Sequence, residues 1–261
     1  MCSTVGKLEN DMTESILGYH VTIKSQEDCI SGIVRWLEEG KRRKYFVCAN
    51  PHSLEVARRD DAFDAALRNA DLIVPDGVGI VIASKILGGS IRKRVTGSDI
   101  FMGLSERLNE ERSFSYFFLG STDENLEKIT EKMRREYPNI GIAGTYSPPF
   151  KPEFDEKESS LMIEAVNRVK PDILWVGMTA PKQEKWILEN RDRLDVSCIG
   201  AIGAVFDFYT GKVKRSHLAF QRIGLEWLPR LLREPGRLWR RNFVSNPRFL
   251  LRVFGSRFQK S

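Results

Sequence analysis

Cysteine is scarce: Cys2, Cys29, Cys48 and Cys198 are the only four in 261 residues, and no two stand at a metal-ligand or redox-motif spacing. Thiols scattered in this way argue for a reducing compartment and against a disulfide frame or a zinc site. Long apolar runs are missing too, and no stretch approaches the roughly 20 uninterrupted apolar residues of a membrane-spanning helix. The first nine residues carry no basic-then-apolar leader, which argues against secretion and for the cytoplasm. No Asp-x-Asp triplet occurs. The commonest carboxylate clamp for a metal-bound diphosphate is therefore absent, although Mg²⁺ stays open through other ligands. Histidine is rare, and His52 and His217 read as exposed or packed side chains with no catalytic role.

What is present is an ordinary globular balance, 41% hydrophobic and 29% charged, enough for a sizeable core. Charge is spread unevenly. Residues 211–261 hold 13 Lys and Arg against two acids, Glu226 and Glu234, whereas the first 210 hold 28 bases against 33 acids. A mildly acidic body with a strongly basic tail suggests a tail that meets polyanions: anionic lipid, pyrophosphate or nucleic acid.

Through the body, short apolar runs alternate with helical patterns. Strands are expected over residues 45–49, 71–75, 114–119, 140–145, 172–176 and 196–202, and helices over 54–69, 79–87, 125–137, 156–170 and 181–191. The first 40 residues add a strand at 19–23 and a helix at 26–38. Strands alternating with helices in this way predict βαβ units. The expected fold class is α/β, Rossmann-like: a largely parallel sheet flanked by helices over residues 1–210, then a basic helical appendage over 211–261. In that appendage an amphipathic helix is expected at 218–232, ended near Pro235, with shorter helices at 237–244 and 247–258.

Ligands of open parallel sheets bind beyond the carboxyl ends of the strands. The least ordinary residues of the chain fall there: Asn50-Pro51, Asp76-Gly77-Val78-Gly79, Gly120-Ser121, Gly177 to Glu184, and Gly200 to Asp207. Glycine at a strand-to-helix turn lets backbone approach a ligand and leaves helix N–H groups open to phosphate. Asp76, at a strand end before Gly-Val-Gly, could take a proton from an attacking hydroxyl. Local sequence alone favours the plainer reading, an Asp-Gly turn satisfied by nearby N–H groups. In the tail, arginines interleave with Trp227, Trp239, Phe243, Phe249, Phe254 and Phe258. That pattern suits an anionic membrane surface better than nucleic acid, with a packed helical hairpin as the structural alternative.

Asn50-Pro51, Ala70 through Gly79, and Arg94-Val95-Thr96-Gly97-Ser98-Asp99 resemble motifs of the WecG/TagA/CpsF family of bacterial glycosyltransferases. Phe118-Leu119-Gly120, Val176-Gly177-Met178, Pro181-Lys182-Gln183-Glu184-Lys185-Trp186, Gly200 through Asp207, and Gly224 through Arg241 follow in the family's order. The resemblance runs from about Val21 to Arg241. It implies an inverting, metal-independent and cofactor-free transfer from a UDP-sugar to a polyprenyl-diphosphate-linked sugar in cell-surface polysaccharide synthesis. Known members move N-acetylmannosamine or its uronic acid, and others move hexoses. It further implies a peripheral enzyme on the inner face of the cytoplasmic membrane. Self-association is compatible with an apolar tail face.

By matching motifs, the resemblance makes Asp76 the catalytic base with Asn50 beside it. Arg94, Thr96 and Gly97 would face the nucleotide diphosphate. Gln183 and Asp207 would hold the nucleoside end, near the Gly120 turn. Arg230, Arg237 and Arg240 would reach the lipid diphosphate. Arginine can neutralise a departing UDP without a metal. Two departures stand out: Cys48 occupies a position where members often carry Thr, and Tyr146-Ser147-Pro148-Pro149-Phe150 replaces a His- and Gly-containing stretch. Two rival readings remain at this point. One is an NAD-dependent oxidoreductase, weakened because Ile82 fills the third glycine position of G-x-G-x-x-G. The other is a non-catalytic module that binds lipid or nucleic acid through the tail.

Overall fold

Odd and even residues of the same strands feed two separate cores, as the two-residue period of a strand requires. Tyr45 and Val47, Phe117 and Leu119, Leu174 and Val176, and Ile199 face one core. Phe46, Tyr116 and Phe118, Ile173 and Trp175, and Cys198 face the other. The computed structural model describes residues 12–110, 114–213 and 235–259. The hairpin β1 (Thr13–Ile16) and β2 (Tyr19–Thr22) is antiparallel. The main sheet comprises β3 (Lys44–Ala49), β4 (Leu72–Pro75), β5 (Ser115–Gly120), β6 (Gly141–Tyr146), β7 (Ile173–Gly177) and β8 (Cys198–Ala201). Its order is β4-β3-β8-β7-β5-β6, with every neighbouring pair parallel. The expected Rossmann-like α/β sheet is therefore what the chain forms.

The first core is covered by α2 (Pro51–Ala57), α3 (Asp61–Arg68), α4 (Val78–Leu87), α7 (Glu156–Val169) and α8 (Lys182–Asn190). The second is covered by α1 (Gln26–Glu38), α5 (Gly97–Glu110), α6 (Asp123–Glu136) and α9 (Val205–Tyr209). Trp175 anchors this second core, edge-on to Phe101, Tyr116 and Phe46 at centroid distances of 5.1, 5.5 and 6.0 Å. A Cβ at Gly200 would lie 2.5 Å from the Trp175 ring, so the neighbouring strand must carry glycine there.

Helices leave the carboxyl ends of β3 and β8 toward opposite faces, and so do those of β5 and β7. Ligands of open α/β sheets bind at such reversals, and both of these lie on the carboxyl edge of the sheet.

Several local expectations are revised. The helix expected at 54–69 is two helices, because the Asp60 carboxylate accepts from the Phe63 N–H at 3.0 Å and starts α3 anew. Helix α5 and strand β1 were not anticipated. In α5, Thr96 and Asp99 cap one another reciprocally, and Ile100, Phe101, Leu104 and Leu108 are buried at helical spacing.

The tail helix expected at 218–232 lies outside the described residues. The two shorter ones form a continuous run: α10 (Pro235–Arg240), a π-helical stretch over Arg241–Ser245, and α11 (Asn246–Gln259). Helix α11 packs on α4 and α2 and places fully buried Phe249 and Val253 in the first core. Burying Phe249 contributes about 2–3 kcal/mol. Among the described residues no helix is long and apolar enough to cross a membrane.

Candidate active site

The β3–β4 register pairs Ala49 with Pro75, so Asn50 and Asp76 sit side by side one residue past the strand ends. The Asp76 N–H donates to Ala49 O at 2.8 Å and carries the pairing into the turn. Gly77 has φ +104°, a conformation that only glycine adopts without strain, and it turns the chain directly into α4. Gly79 lies against the Pro51 ring with no room for a Cβ, which locks the two turns together. Asn50 caps α2: its side-chain oxygen accepts from the Ser53 N–H at 3.0 Å, and Ser53 Oγ accepts from the Asn50 N–H at 2.8 Å. Its carbonyl oxygen is thus engaged in the cap.

The segment carrying Arg94, Thr96 and Gly97 runs on beside this pair, because the Val95 N–H donates to Pro75 O at 2.9 Å. Arg94 is part-buried while Arg92 and Lys93 are exposed, which separates it from an ordinary solvated cluster. A Cβ on Gly97 would lie 3.2 Å from Cys48 Sγ and 3.4 Å from both Ile202 and Val205. Gly97 therefore joins the ends of β3 and β8 and the start of α9. Burial pushes the Cys48 thiol well above its usual range, and Asp76, Glu184 and Asp99 push it further. The thiol stays protonated, so it is a packing group and no nucleophile.

At the β5–β7 reversal a second cluster forms. Gly120 has φ +118°, and a Cβ there would lie 2.6 Å from Gly177 O. Asn125, buried at the start of α6, is the hub. Its Nδ2 donates to Ser121 Oγ at 2.8 Å and to Asp207 Oδ1 at 3.2 Å, and its Oδ1 accepts from Thr210 Oγ1 at 2.7 Å. Asp207 and the Gly120 turn are thereby brought together, and the Asp207 side chain stays 35% exposed with Lys212 Nζ at 3.9 Å. Ser147 Oγ donates to Ser121 O at 3.0 Å, tying the departing β6 loop to the same cluster.

Gln183 lies below both clusters and is only 3% exposed. Its Oε1 accepts from the N–H groups of Met178 (3.2 Å) and Gly203 (3.1 Å), pinning the loops after β7 and β8. Its Nε2 donates to Glu184 Oε1 at 2.8 Å. Asn125 and Glu184 were missed as site residues. Asn125 read only as the first residue of an amphipathic helix, and Glu184 only as part of a motif.

Of the tail arginines, Arg240 is exposed on α10, Arg237 is on the same helix, and Arg230 lies outside the described residues. The tail meets the site's supports directly. His52, two residues after Asn50, has Nδ1 2.9 Å from Ser245 Oγ, and Arg252 Nε lies 3.0 Å from Glu55 Oε1. Burial, and then the Arg241 charge, lower the pKa of His52.

Residues 14–261 match the sequence profile of the glycosyl transferase WecG/TagA/CpsF family. The chain belongs to this family. Membership makes it a glycosyltransferase and sets aside the oxidoreductase and binding-module readings. An N-acetylglucosaminyldiphosphoundecaprenol N-acetyl-beta-D-mannosaminyltransferase of Bacillus spizizenii is 34% identical over 209 residues, 80% of this chain and 78% of its own. A Bacillus subtilis protein of the same name is 31% identical over 78% of this chain and 76% of its own. One from Staphylococcus aureus is 26% identical over 96% and 95%. The WecG/TagA/CpsF motifs quoted from the sequence converge on the sheet's carboxyl edge, apart from the tail.

Proposed function

We propose that the protein transfers N-acetylmannosamine from its UDP-sugar to polyprenyl-diphosphate-linked N-acetylglucosamine, with inversion and without a metal. The observation that carries this reading is the shared carboxyl edge on which Asp76, Asn50 and the Arg94–Gly97 segment stand together. Asp76 takes the proton of the acceptor hydroxyl as its oxygen bonds to the anomeric carbon. The bond from that carbon to the diphosphate breaks on the opposite face, and UDP leaves with the electron pair. Arg94, on the segment that also carries Thr96 and Gly97, balances the departing charge. The Gly120 turn and Asp207 hold the nucleoside end, and Gln183 acts there by pinning the loops after β7 and β8. The relatives' names support the choice of sugar and acceptor.

The tail supports action at the inner face of a cytoplasmic membrane. Trp239, Phe243, Leu251, Phe254 and Phe258 are 47–76% exposed on the C-terminal helices, among Arg240, Arg241, Arg248 and Arg257. Rings at head-group depth beside guanidinium groups suit an anionic bilayer. Arg230, Arg237 and Arg240 would contact the lipid diphosphate there. The test is UDP release with a panel of UDP-sugars, a short-chain polyprenyl-diphosphate-GlcNAc acceptor, and EDTA. Acceptor-dependent release with UDP-N-acetylmannosamine that survives EDTA, giving the inverted anomer by NMR, supports the reading. Release with no donor overturns it.

A further inference from the structure

Glu184 is a buried carboxyl beside the site for which the transfer chemistry has no task. It is 3% exposed on the first turn of α8. One oxygen accepts from Gln183, and the other, Oε2, is buried with no side-chain partner among the described residues; the Gln183 amide and the residue's own backbone N–H favour the charged form, and burial outweighs both. Among the described residues no cation forms an ion pair with it. On its own helix, Lys182 Nζ donates to Lys151 O at 2.7 Å and lies over the Phe154 ring, and Lys185 Nζ lies 3.2 Å from Asp60. From α3, Asp64 and Arg68 pair with each other. From the short 3₁₀ turn after α8, Arg191 stacks over Tyr45 and Arg193 pairs with Glu156. Strand β8 presents no charge. Burial, then Asp76, Glu184 and Asp99, push up the Cys48 thiol, so Glu184 shares its surroundings with these carboxyls. An ionised Glu184 would add a third negative charge beside the β3/β8 reversal, where an anion is to bind.

We propose that Glu184 is a positioning residue that must be uncharged for a nucleotide diphosphate to settle at the β3/β8 reversal. In its neutral form it fixes the Gln183 amide, and with it the loops after β7 and β8, without opposing the diphosphate. Burial pushes the carboxyl up to about 7. The inference rests on the reading of the site as one for a UDP-sugar.

The test is the affinity of the full-length protein for UDP-N-acetylmannosamine and UDP-N-acetylglucosamine between pH 6 and 8.5, by calorimetry in buffers of different ionisation enthalpy. The doubly esterified diphosphate of these probes does not titrate in that range. In the wild type, affinity is expected to weaken about tenfold as pH rises, with proton uptake on binding near pH 7. Glu184→Gln, neutral at every pH, is expected to bind with no slope and no uptake. Binding without a slope in the wild type overturns the inference and leaves the nucleotide reading intact. A slope that persists in Glu184→Gln assigns the effect to another group, His52 or Asp76, and also overturns it. No binding of either probe at any pH overturns both. The wild-type profile decides the matter even if the variant does not fold.

Discussion

The two ends of the carboxyl edge are rigid for different reasons. At the β3–β4 end, backbone and glycine sterics do the holding: Asp76 N–H to Ala49 O, Val95 N–H to Pro75 O, Gly77 at φ +104° and Gly79 against Pro51. At the β5–β7–β8 end, side chains hold one another through Asn125 and Gln183. Backbone fixation sets where Asp76 and Arg94 stand, the two residues to which the proposed mechanism gives the reacting groups. Side-chain fixation spends the polar atoms on architecture and leaves a shaped cradle. The first arrangement suits bond-making and the second suits recognition of an unreactive nucleoside. Substitutions at the two ends should therefore separate turnover from binding.

The largest effect is expected at the first end. Asp76→Asn should lower turnover on the order of 10³-fold, the scale of general-base catalysis, with UDP-sugar affinity nearly unchanged. Acceptor-dependent UDP release set against calorimetric binding checks this, and near-normal turnover would remove Asp76 as the base. Next comes Phe249→Ala on α11, which opens a cavity beside α2 and α4 and should cost about 3–5 kcal/mol, read as a urea midpoint. In the surviving folded fraction, turnover should fall more than affinity, because only the first end rests on that helix.

At the second end, the effect of Glu184 on stability depends on pH. Its folded carboxyl sits at about 7, above the ordinary 4.5. Stability is therefore complete below about 4.5 and declines as pH rises through about 7, by ~3 kcal/mol in all. Glu184→Gln should abolish that decline, so the variant gains on the wild type between pH 5 and 8 in denaturant titrations. The smallest effect is expected from Asn125→Ala, which strips partners from Ser121, Thr210 and Asp207 and should cost about 1–3 kcal/mol. Its signature is weaker UDP-sugar binding, about tenfold, with turnover at saturation little altered. A variant that loses turnover and keeps affinity would erase the distinction between the ends.

The turns of the candidate site were legible because their signals are short-range. Pro after Asn50, Gly-Val-Gly after Asp76 and the Thr96/Asp99 spacing are local turn and cap chemistry, readable wherever they occur. Even so, α5 escaped the periodicity reading although its cap was quoted among the motifs, and one expected helix split because Asp60 captured the Phe63 N–H. The division of the chain at residue 210 gave no hint that Phe249 and Val253 would be buried in the main core. Composition showed a basic, aromatic tail; only packing shows that one face of α11 belongs to the body and the other to solvent.

The sequence by itself determined the alternation of strands and helices, the glycine turns, the charge asymmetry and the ordered motifs that carry family membership, because each depends on residues a few positions apart. Tertiary structure decided which turns share an edge, that Asn125, which also holds Ser121, reaches Asp207 across 82 positions of chain, and that Glu184 is buried with no ion pair among the described residues. The physical reason is desolvation and long-range pairing. A carboxyl acquires its burial cost, and an amide its partners, only when segments remote in sequence close around it.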